Sequence, residues 1–81
     1  MYKEEHIEAA NAPEGFKLYD SRDGMFTDRI GPYFIKGSYP DVTMGIRILD
    51  HHSNYNGVSH GGLLMAFVDS IGGYIAAKAG E

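Results

Sequence analysis

One carboxylate stands out in the C-terminal third of the chain. Asp69 is the only charged residue between Asp50 and Lys78, and its neighbours are small or apolar. Moving a carboxylate into an apolar environment is costly unless it is paired or hydrogen-bonded. Asp69 is therefore either a general base or nucleophile, or a structural carboxylate that is bonded to nearby donors or reaches water at an edge.

The tripeptide His60-Gly61-Gly62 lies nine residues before this carboxylate. Two glycines at a helix start leave backbone N–H groups without intrahelical partners and unshielded by side chains, and the helix dipole favours negative charge there. Such N–H groups can stabilise a developing oxyanion. The same tripeptide also fits a simple tight turn, so this pattern alone leaves both interpretations open.

The residues that follow predict the helix that would hold these groups. A period of 3.6 residues over Gly61–Ala79 places large side chains on one side and small ones, with Asp69, on the other. The large side chains are Leu63, Leu64, Phe67, Val68, Ile71, Tyr74 and Ile75. This pattern predicts a helix that is buried nearly all round, and Gly80 marks its end.

Upstream, the pattern predicts a short helix and two strands. Residues 2–10 are compatible with a helix that stops before Pro13. Aromatic and β-branched residues over 26–39 predict a strand, weakened by Gly31-Pro32. Residues 42–49 alternate cleanly and predict a second strand that pairs with the first as an antiparallel hairpin.

These elements do not add up to a complete domain. A helix buried on all sides must be covered by other secondary-structure elements, whereas a two-stranded hairpin is marginally stable by itself. We therefore expect that partner chains or further residues supply the elements that cover the helix. We also expect that the 81 residues alone do not form a stable monomer.

The segment from Asn54 to Ala76 resembles the signature of the PaaI-type hotdog thioesterases. In that family an asparagine, a glycine, His-Gly-Gly and a helical aspartate recur at fixed spacing. The matching positions here are Asn54, Gly57, His60, Gly61, Gly62 and Asp69. The resemblance covers roughly residues 26–79, whereas the first 25 residues match loosely.

The resemblance implies an α+β hotdog fold, in which an antiparallel sheet wraps around a central helix. In this chain the fold would be truncated to an N-terminal helix, a two-stranded hairpin and the central helix. Residues 1–25 would form the N-terminal helix and lead-in, and residues 26–81 an incomplete hotdog domain. The family implies a homodimer or homotetramer with active sites at subunit interfaces.

The resemblance also implies roles for individual residues in hydrolysing an aryl- or medium-chain acyl-CoA thioester. The backbone N–H of Gly61 would bind the thioester carbonyl, and Asp69 of the neighbouring subunit would activate water or attack directly. Asn54 would help to hold that water, and His60 would fix the loop. Gly57 and Gly62 would border the substrate. Coenzyme A is part of the substrate, so no cofactor is expected.

Other functions are compatible with parts of the sequence. One is a non-catalytic hotdog domain that binds acyl-CoA, and another is an inactive truncated remnant. A metal site built from His51, His52, His60 and Asp69 is disfavoured, because adjacent residues of an extended chain point to opposite sides. Aromatic residues at 33, 34 and 39 fit a core better than an acyl pocket.

Composition and charge exclude several kinds of partner and chemistry. The net charge is −4 and no Lys/Arg cluster occurs, so neither nucleic acid nor an anionic membrane is an expected partner. The uncharged residues 53–68 include polar residues and do not predict a membrane span. Without cysteine, disulfides and thiolate catalysis are excluded. The charged N-terminal residues are unlike a signal peptide, so we expect a cytoplasmic protein.

Overall fold

A computed structural model describes residues 2–20, 26–52 and 61–80. The described residues form a mixed α+β structure with a three-stranded antiparallel sheet. The elements, in chain order, are α1 (Glu4–Ala10), β1 (Lys17–Leu18), α2 (Phe26–Ile30), β2 (Tyr33–Ser38), β3 (Asp41–Ile46), a 3-10 helix (Asp50–His52) and α3 (Gly61–Ala79).

The predicted hairpin is present as β2 and β3, and β1 adds a strand that the sequence did not predict. The strand order is β1-β2-β3, with β2 in the centre. Phe34 pairs with Leu18 on one side and with Gly45 on the other. A two-residue strand such as β1 is too short to show a periodicity, so only its pairing with β2 defines it.

A single glycine shapes the hairpin turn. Gly37 has a φ of +80°, and a Cβ atom there would lie 2.5 Å from the carbonyl oxygen of Asp41. Only glycine adopts this conformation without steric cost. Gly37 therefore allows Ser38 to pair with Asp41 across a tight connection.

The core of the described chain lies on β2. Tyr33, Phe34 and Ile35 are all buried, and Tyr33 is fully inaccessible to solvent. The prediction that the strand aromatics form core is thus confirmed for Tyr33 and Phe34. It is wrong for Tyr39, which lies just beyond β2 and remains 41% exposed.

The prediction of one strand over residues 26–39 is wrong in its first part. Phe26–Ile30 is α2, which ends with a hydrogen bond of 2.8 Å from the Gly31 N–H to the Thr27 carbonyl. A Cβ atom at Gly31 would lie only 2.4 Å from the Tyr2 ring. The glycine thus allows Tyr2 to pack closely against the junction between α2 and β2.

The second strand is shorter than predicted, because β3 ends at Ile46 and residues 47–49 leave the sheet. Arg47 turns towards the end of α1, where its Nε donates to the Ala10 carbonyl at 2.9 Å. A cation at a helix C-terminus interacts favourably with unsatisfied carbonyl groups and with the helix dipole. Arg47 thereby ties α1 to the end of the sheet, and Ile48 is left 44% exposed.

The predicted central helix is confirmed over its whole length as α3, residues 61–79. Two edge-to-face ring contacts join it to the rest of the chain, Phe67 with Tyr33 at 5.0 Å and Tyr74 with Tyr19 at 6.1 Å. Within the described residues, α3 alone is long and apolar enough to cross a membrane, a criterion that core helices of soluble proteins also meet.

Only one side of α3 is covered by the described chain. The buried and half-buried positions recur at helical spacing and are Leu63, Ala66, Phe67, Ser70, Ile71 and Tyr74. The opposite side exposes Leu64, Met65, Val68 and Ile75, with Met65 75% and Val68 65% accessible. We call this second side the uncovered face. The prediction of burial nearly all round therefore does not hold for this single chain.

Candidate active site

The first turn of α3 presents open backbone donors. The helix begins at Gly61, as the sequence predicted, and its first four N–H groups have no intrahelical acceptors. Apart from neighbouring residues and the helix's own backbone, no described atom lies within 4 Å of the position that a Cβ would occupy at Gly61 or Gly62. A carbonyl oxygen can therefore approach these N–H groups without meeting a side chain from the described part of the chain.

Asp69 lies on the uncovered face of α3 and is exposed in this chain. It borders a wide, open depression of about 430 Å³ together with Leu64, Met65 and Val68. The sequence predicted a carboxylate among small apolar neighbours on a buried helix. The structure retains the apolar surroundings but places them on a surface that the described chain does not cover.

Gly61 and Asp69 are far apart within one copy of the helix. Asp69 lies eight positions after Gly61 in the sequence, which corresponds to about 12 Å along the axis at 1.5 Å per residue. A general base must lie within about 3 Å of the proton it removes, or act through one water molecule. The described chain therefore does not bring these two predicted site residues together.

The other predicted site residues fall outside the described part of the chain. Asn54, Gly57 and His60 all belong to residues 53–60, which lie between the 3-10 helix and α3. Their predicted roles in holding water, bordering the substrate and fixing the loop stay predictions. Gly62, the remaining predicted substrate contact, is the second residue of α3.

A cavity of about 190 Å³ lies beside the first two turns of α3. Its walls come from α2, the 3-10 helix and α3. The residues that line it are Phe26, Arg29, Ile30, His51, His52, Gly62, Leu63 and Ala66. The sequence did not reveal this cavity, because residues 26–30 were predicted as strand. Phe26 and Ile30 are four residues apart and would share one face of a helix, so their spacing was the one sequence feature that could have indicated α2.

Two histidines, His51 and His52, line this cavity, and the ring of a third, His6, stacks against His51. The rings of His6 and His51 stack with centroids 3.9 Å apart and planes 6° apart, and His52 lies against His51 at 3.9 Å. His51 was predicted as an exposed loop residue and is exposed, but the same prediction for His52 is wrong, because its ring is buried. Among the described residues, no three His, Asp or Glu side chains form a group that could hold a metal ion.

The hydrogen bonds of His52 define its protonation state. The Leu49 N–H donates to Nδ1 at 2.9 Å, so this nitrogen is an acceptor. Nε2 therefore carries the proton and donates to the carbonyls of Ile30 and Gly31. Burial lowers the pKa of His52 below its usual value of 6.5, and the neighbouring His51 adds to this effect, whereas the Ile30 carbonyl opposes it. His52 is thus a neutral residue in the cavity lining, and its hydrogen bonds join the 3-10 helix to the end of α2.

Two glycines in the middle of α3 meet no other element of the described chain. Apart from neighbouring residues and the helix's own backbone, no described atom lies within 4 Å of the position that a Cβ would occupy at Gly72 or Gly73. Glycine inside a helix costs about 1 kcal/mol relative to alanine. The close backbone approach that the sequence predicted for these positions is therefore not made within the part of the chain that the structure describes.

The chain resembles one curated relative in particular. It is 36% identical over 73 residues to a Pseudomonas aeruginosa protein that bears the name putative esterase. The matched region covers 88% of this chain and 53% of the relative. The chain thus spans about half the length of the curated relative it matches. No family model and no solved structure matches the chain.

Proposed function

We propose that this chain forms part of a hotdog-fold acyl-CoA thioesterase of the PaaI type, in which water cleaves the thioester at an interface between two subunits. The observation that carries the proposal is the separation of the two groups on α3. Gly61 presents open N–H groups at one end, whereas Asp69 lies on the uncovered face. Two copies of α3 in opposite directions would bring Gly61 of one copy near Asp69 of the other.

The esterase name of the curated relative supports a hydrolytic reaction. An ester and a thioester are hydrolysed by the same addition of water to a carbonyl carbon. The resemblance of residues 54–76 to the PaaI-type signature favours the thioester among these substrates. The aryl- or medium-chain acyl-CoA, the cytoplasmic location and the dimer or tetramer are parts of the same proposal.

The reaction begins with the thioester carbonyl oxygen accepting a hydrogen bond from the Gly61 N–H. The Asp69 carboxylate of the second subunit takes a proton from water while the water oxygen forms a bond to the carbonyl carbon. The tetrahedral intermediate carries its negative charge on the oxygen held by α3, where donors and dipole are already oriented. Collapse of the intermediate breaks the C–S bond, and the proton held by Asp69 passes to the leaving sulfur. The acid and coenzyme A are released and the Asp69 carboxylate is restored.

Water and the thioester are the only reactants in this scheme, so it requires no cofactor. In the proposed site, Asn54 helps to position the water, and His60 fixes the loop before α3. Gly57 and Gly62 leave room for the substrate. Attack by Asp69 directly on the carbonyl would give the same products through an anhydride, which water then hydrolyses.

The first test removes each group separately in the full-length protein. We expect Asp69→Asn to lower kcat for phenylacetyl-CoA by ~10²-fold or more, because a general base is lost. Gly61→Pro removes the N–H and should lower kcat by about 10²- to 10³-fold. Since Gly61 is the first residue of α3, proline fits there without disrupting helical hydrogen bonds.

Release of the free thiol measures the activity, and Glu8→Gln, an exposed carboxylate on α1, is the control. Circular dichroism verifies that each variant is folded. A folded Asp69→Asn protein with unchanged turnover would refute the assignment of the base. A folded Gly61→Pro protein with unchanged turnover would show that the carbonyl is polarised elsewhere.

Mixing the two variants tests the interface. A heterodimer of the Asp69→Asn and Gly61→Pro chains has one site with both groups intact, provided the site takes one group from each subunit. Co-expression with two different tags isolates this heterodimer. We expect about half of the unmodified activity per dimer, whereas each variant alone stays inactive. Absence of rescue would place both groups in the same subunit.

A further inference from the structure

We infer that a groove between α1 and residues 48–51 binds a small organic cation, namely a primary amine that carries an apolar group. The groove is an open space of about 450 Å³, and neither Gly61 nor Asp69 lines it. The inference therefore goes beyond the proposed function and does not depend on it.

Tertiary contacts hold the two sides of the groove together. One side is α1, and the other is residues 48–51, where the chain passes from β3 into the 3-10 helix. The rings of His6 and His51 stack across them with centroids 3.9 Å apart. Close by, Arg47 donates to the Ala10 carbonyl at 2.9 Å. The groove is thus part of the fold, and its volume lies within the range of about 300–1,000 Å³ that is usual for small-molecule sites.

The charge of the groove favours a cation. Glu5 lines it from α1, and Asp50 lines it from the 3-10 helix. Neither side chain forms a hydrogen bond or an ion pair within the described residues. No lysine or arginine of the described chain lines the groove. A concave surface with charge of one sign attracts ligands of the opposite sign.

The tautomer of His51 adds a third acceptor. Its Nε2 lies 2.8 Å from the Gly31 carbonyl oxygen, which can only accept, so Nε2 carries the proton of the neutral ring. Nδ1 of His51 therefore has a free lone pair. Together with the carboxylates of Glu5 and Asp50, the groove offers three acceptor side chains. This observation is independent of the charges, and it favours a ligand that donates hydrogen bonds.

The rest of the lining is hydrocarbon. Ala9 contributes from α1, and Ile48 and Leu49 contribute from the opposite side. Ile48 is 44% exposed, and an alkyl group of a ligand would remove this surface from water, which is favourable. A ligand that matches the groove therefore has an apolar part as well as a charged donor.

A primary amine combines these properties. Its ammonium group has three N–H donors and no acceptor, which matches the three acceptor side chains. The acidic and histidine side chains of the groove do not form a group that could hold a metal ion. A quaternary ammonium ion carries the same charge but has no N–H to donate. The three acceptors therefore favour the primary amine over both alternatives.

The test compares four ligands with the same six-carbon chain. Isothermal titration calorimetry at low salt measures the binding of hexylamine, hexyltrimethylammonium, hexan-1-ol and hexanoate to the full-length protein. We expect hexylamine to bind at least ~10-fold more tightly than each of the others, because hydrogen bonds to charged groups are the stronger ones. No binding of hexylamine up to about 10 mM would overturn the proposal. Equal affinity for hexan-1-ol would overturn it as well.

Removal of the two carboxylates tests the charge. The double variant Glu5→Gln/Asp50→Asn should weaken hexylamine binding by ~10-fold or more. The matched control is Glu4→Gln/Glu8→Gln, because both residues are exposed carboxylates of α1 that do not line the groove. This control removes the same net charge and should change the affinity less than ~2-fold. Equal losses in the two double variants would show a diffuse attraction to the acidic surface and would overturn the site.

A further variant tests the groove without changing any charge. Ala9 is exposed and lies on α1, where leucine is also a good helix former. Ala9→Leu should fill part of the groove and weaken hexylamine binding by at least ~10-fold. Unchanged affinity in a folded Ala9→Leu protein would place the amine elsewhere and refute the groove. This variant remains informative if the substitution at Glu5 and Asp50 prevents folding.

Discussion

The central strand and the long helix of this chain are both rich in large apolar residues, but their surroundings differ. On β2, Tyr33, Phe34 and Ile35 are buried by the described chain. On α3, which has about three times as many residues, Leu63 is the one residue that the described chain buries. The described chain thus covers the sheet side with local and neighbouring elements, whereas it leaves one side of the helix uncovered.

The composition of the uncovered face supports this interpretation. Contiguous exposed apolar patches on soluble proteins mark interaction sites or aggregation liabilities. Here the patch surrounds the carboxylate of Asp69, and the rotation of about 100° per residue places Gly72 beside that carboxylate on the same side. A second copy of the chain that covers this face would bury the apolar side chains and bring a reactive group to its partner's site. The following predictions test whether the two regions differ in this way.

The largest expected effect is on the sheet side. Tyr33→Ala removes a fully buried ring that also contacts Phe67, and should lower the free energy of unfolding by about 3–5 kcal/mol. The same substitution at Tyr39, which is 41% exposed, should cost less than half as much. Urea denaturation of the full-length protein measures both. Equal losses would contradict the assignment of the core to β2.

Alanine substitutions at two glycines change stability in opposite directions if the uncovered face of α3 is free. At Gly31 a new Cβ would lie 2.4 Å from the Tyr2 ring, so Gly31→Ala should destabilise the full-length protein by about 1–3 kcal/mol. At Gly72 the described chain leaves open space. If a second copy covers this face closely, Gly72→Ala should also destabilise, by a similar amount. If the face is free, the better helix propensity of alanine should stabilise by up to about 1 kcal/mol.

Thermal melts of the two glycine variants at several protein concentrations separate these cases. A loss at Gly72 that grows on dilution would indicate a weakened subunit interface, because the stability of an oligomer depends on protomer concentration. A concentration-independent gain in stability would show that nothing packs against α3 at this position. Gly31→Ala serves as the reference for a clash within one chain.

The smallest expected effect is a dependence on pH. The buried His52 has a lowered pKa, so the unfolded chain binds its proton more readily than the folded one. Stability from this group is complete above pH 6.5 and declines as the pH falls from 6.5 towards the folded-state pKa. His52→Gln should reduce the slope of unfolding free energy against pH in this range. His51→Gln, at the exposed neighbour, should retain most of it, because burial is the main cause of the lowered pKa. An unchanged slope in His52→Gln would refute the assignment.

Periodicity was enough to predict some elements. The apolar spacing over residues 61–79 predicted α3 with its exact bounds, and the alternation from Val42 onward predicted the hairpin. Both patterns are long and regular, which is where periodicity is most informative. The sequence also predicted α1, which begins at Glu4 and ends before Asn11.

Tertiary contacts decided what periodicity could not predict. The five residues of α2 contain Phe, Thr and Ile, which favour strands, yet the Gly31 N–H closes a helical turn and Tyr2 packs against it. Arg47 leaves β3 to bind the end of α1, a partner that is 37 residues away. Of the candidate site, the sequence predicted the positions of Gly61, Gly62 and Asp69, but the cavity beside them depends on α2 and was therefore missed.

The edge-to-face contact between Tyr33 and Phe67 has a consequence for the order of folding. The pairs between β2 and β3 are local, so the hairpin closes with little loss of chain entropy, on a timescale of about 1–10 μs for hairpins in general. Phe67 reaches Tyr33 only after the segment between β3 and α3 has closed as a loop. We therefore expect the hairpin to form first, with the Tyr33 ring as the point where α3 later docks on the sheet.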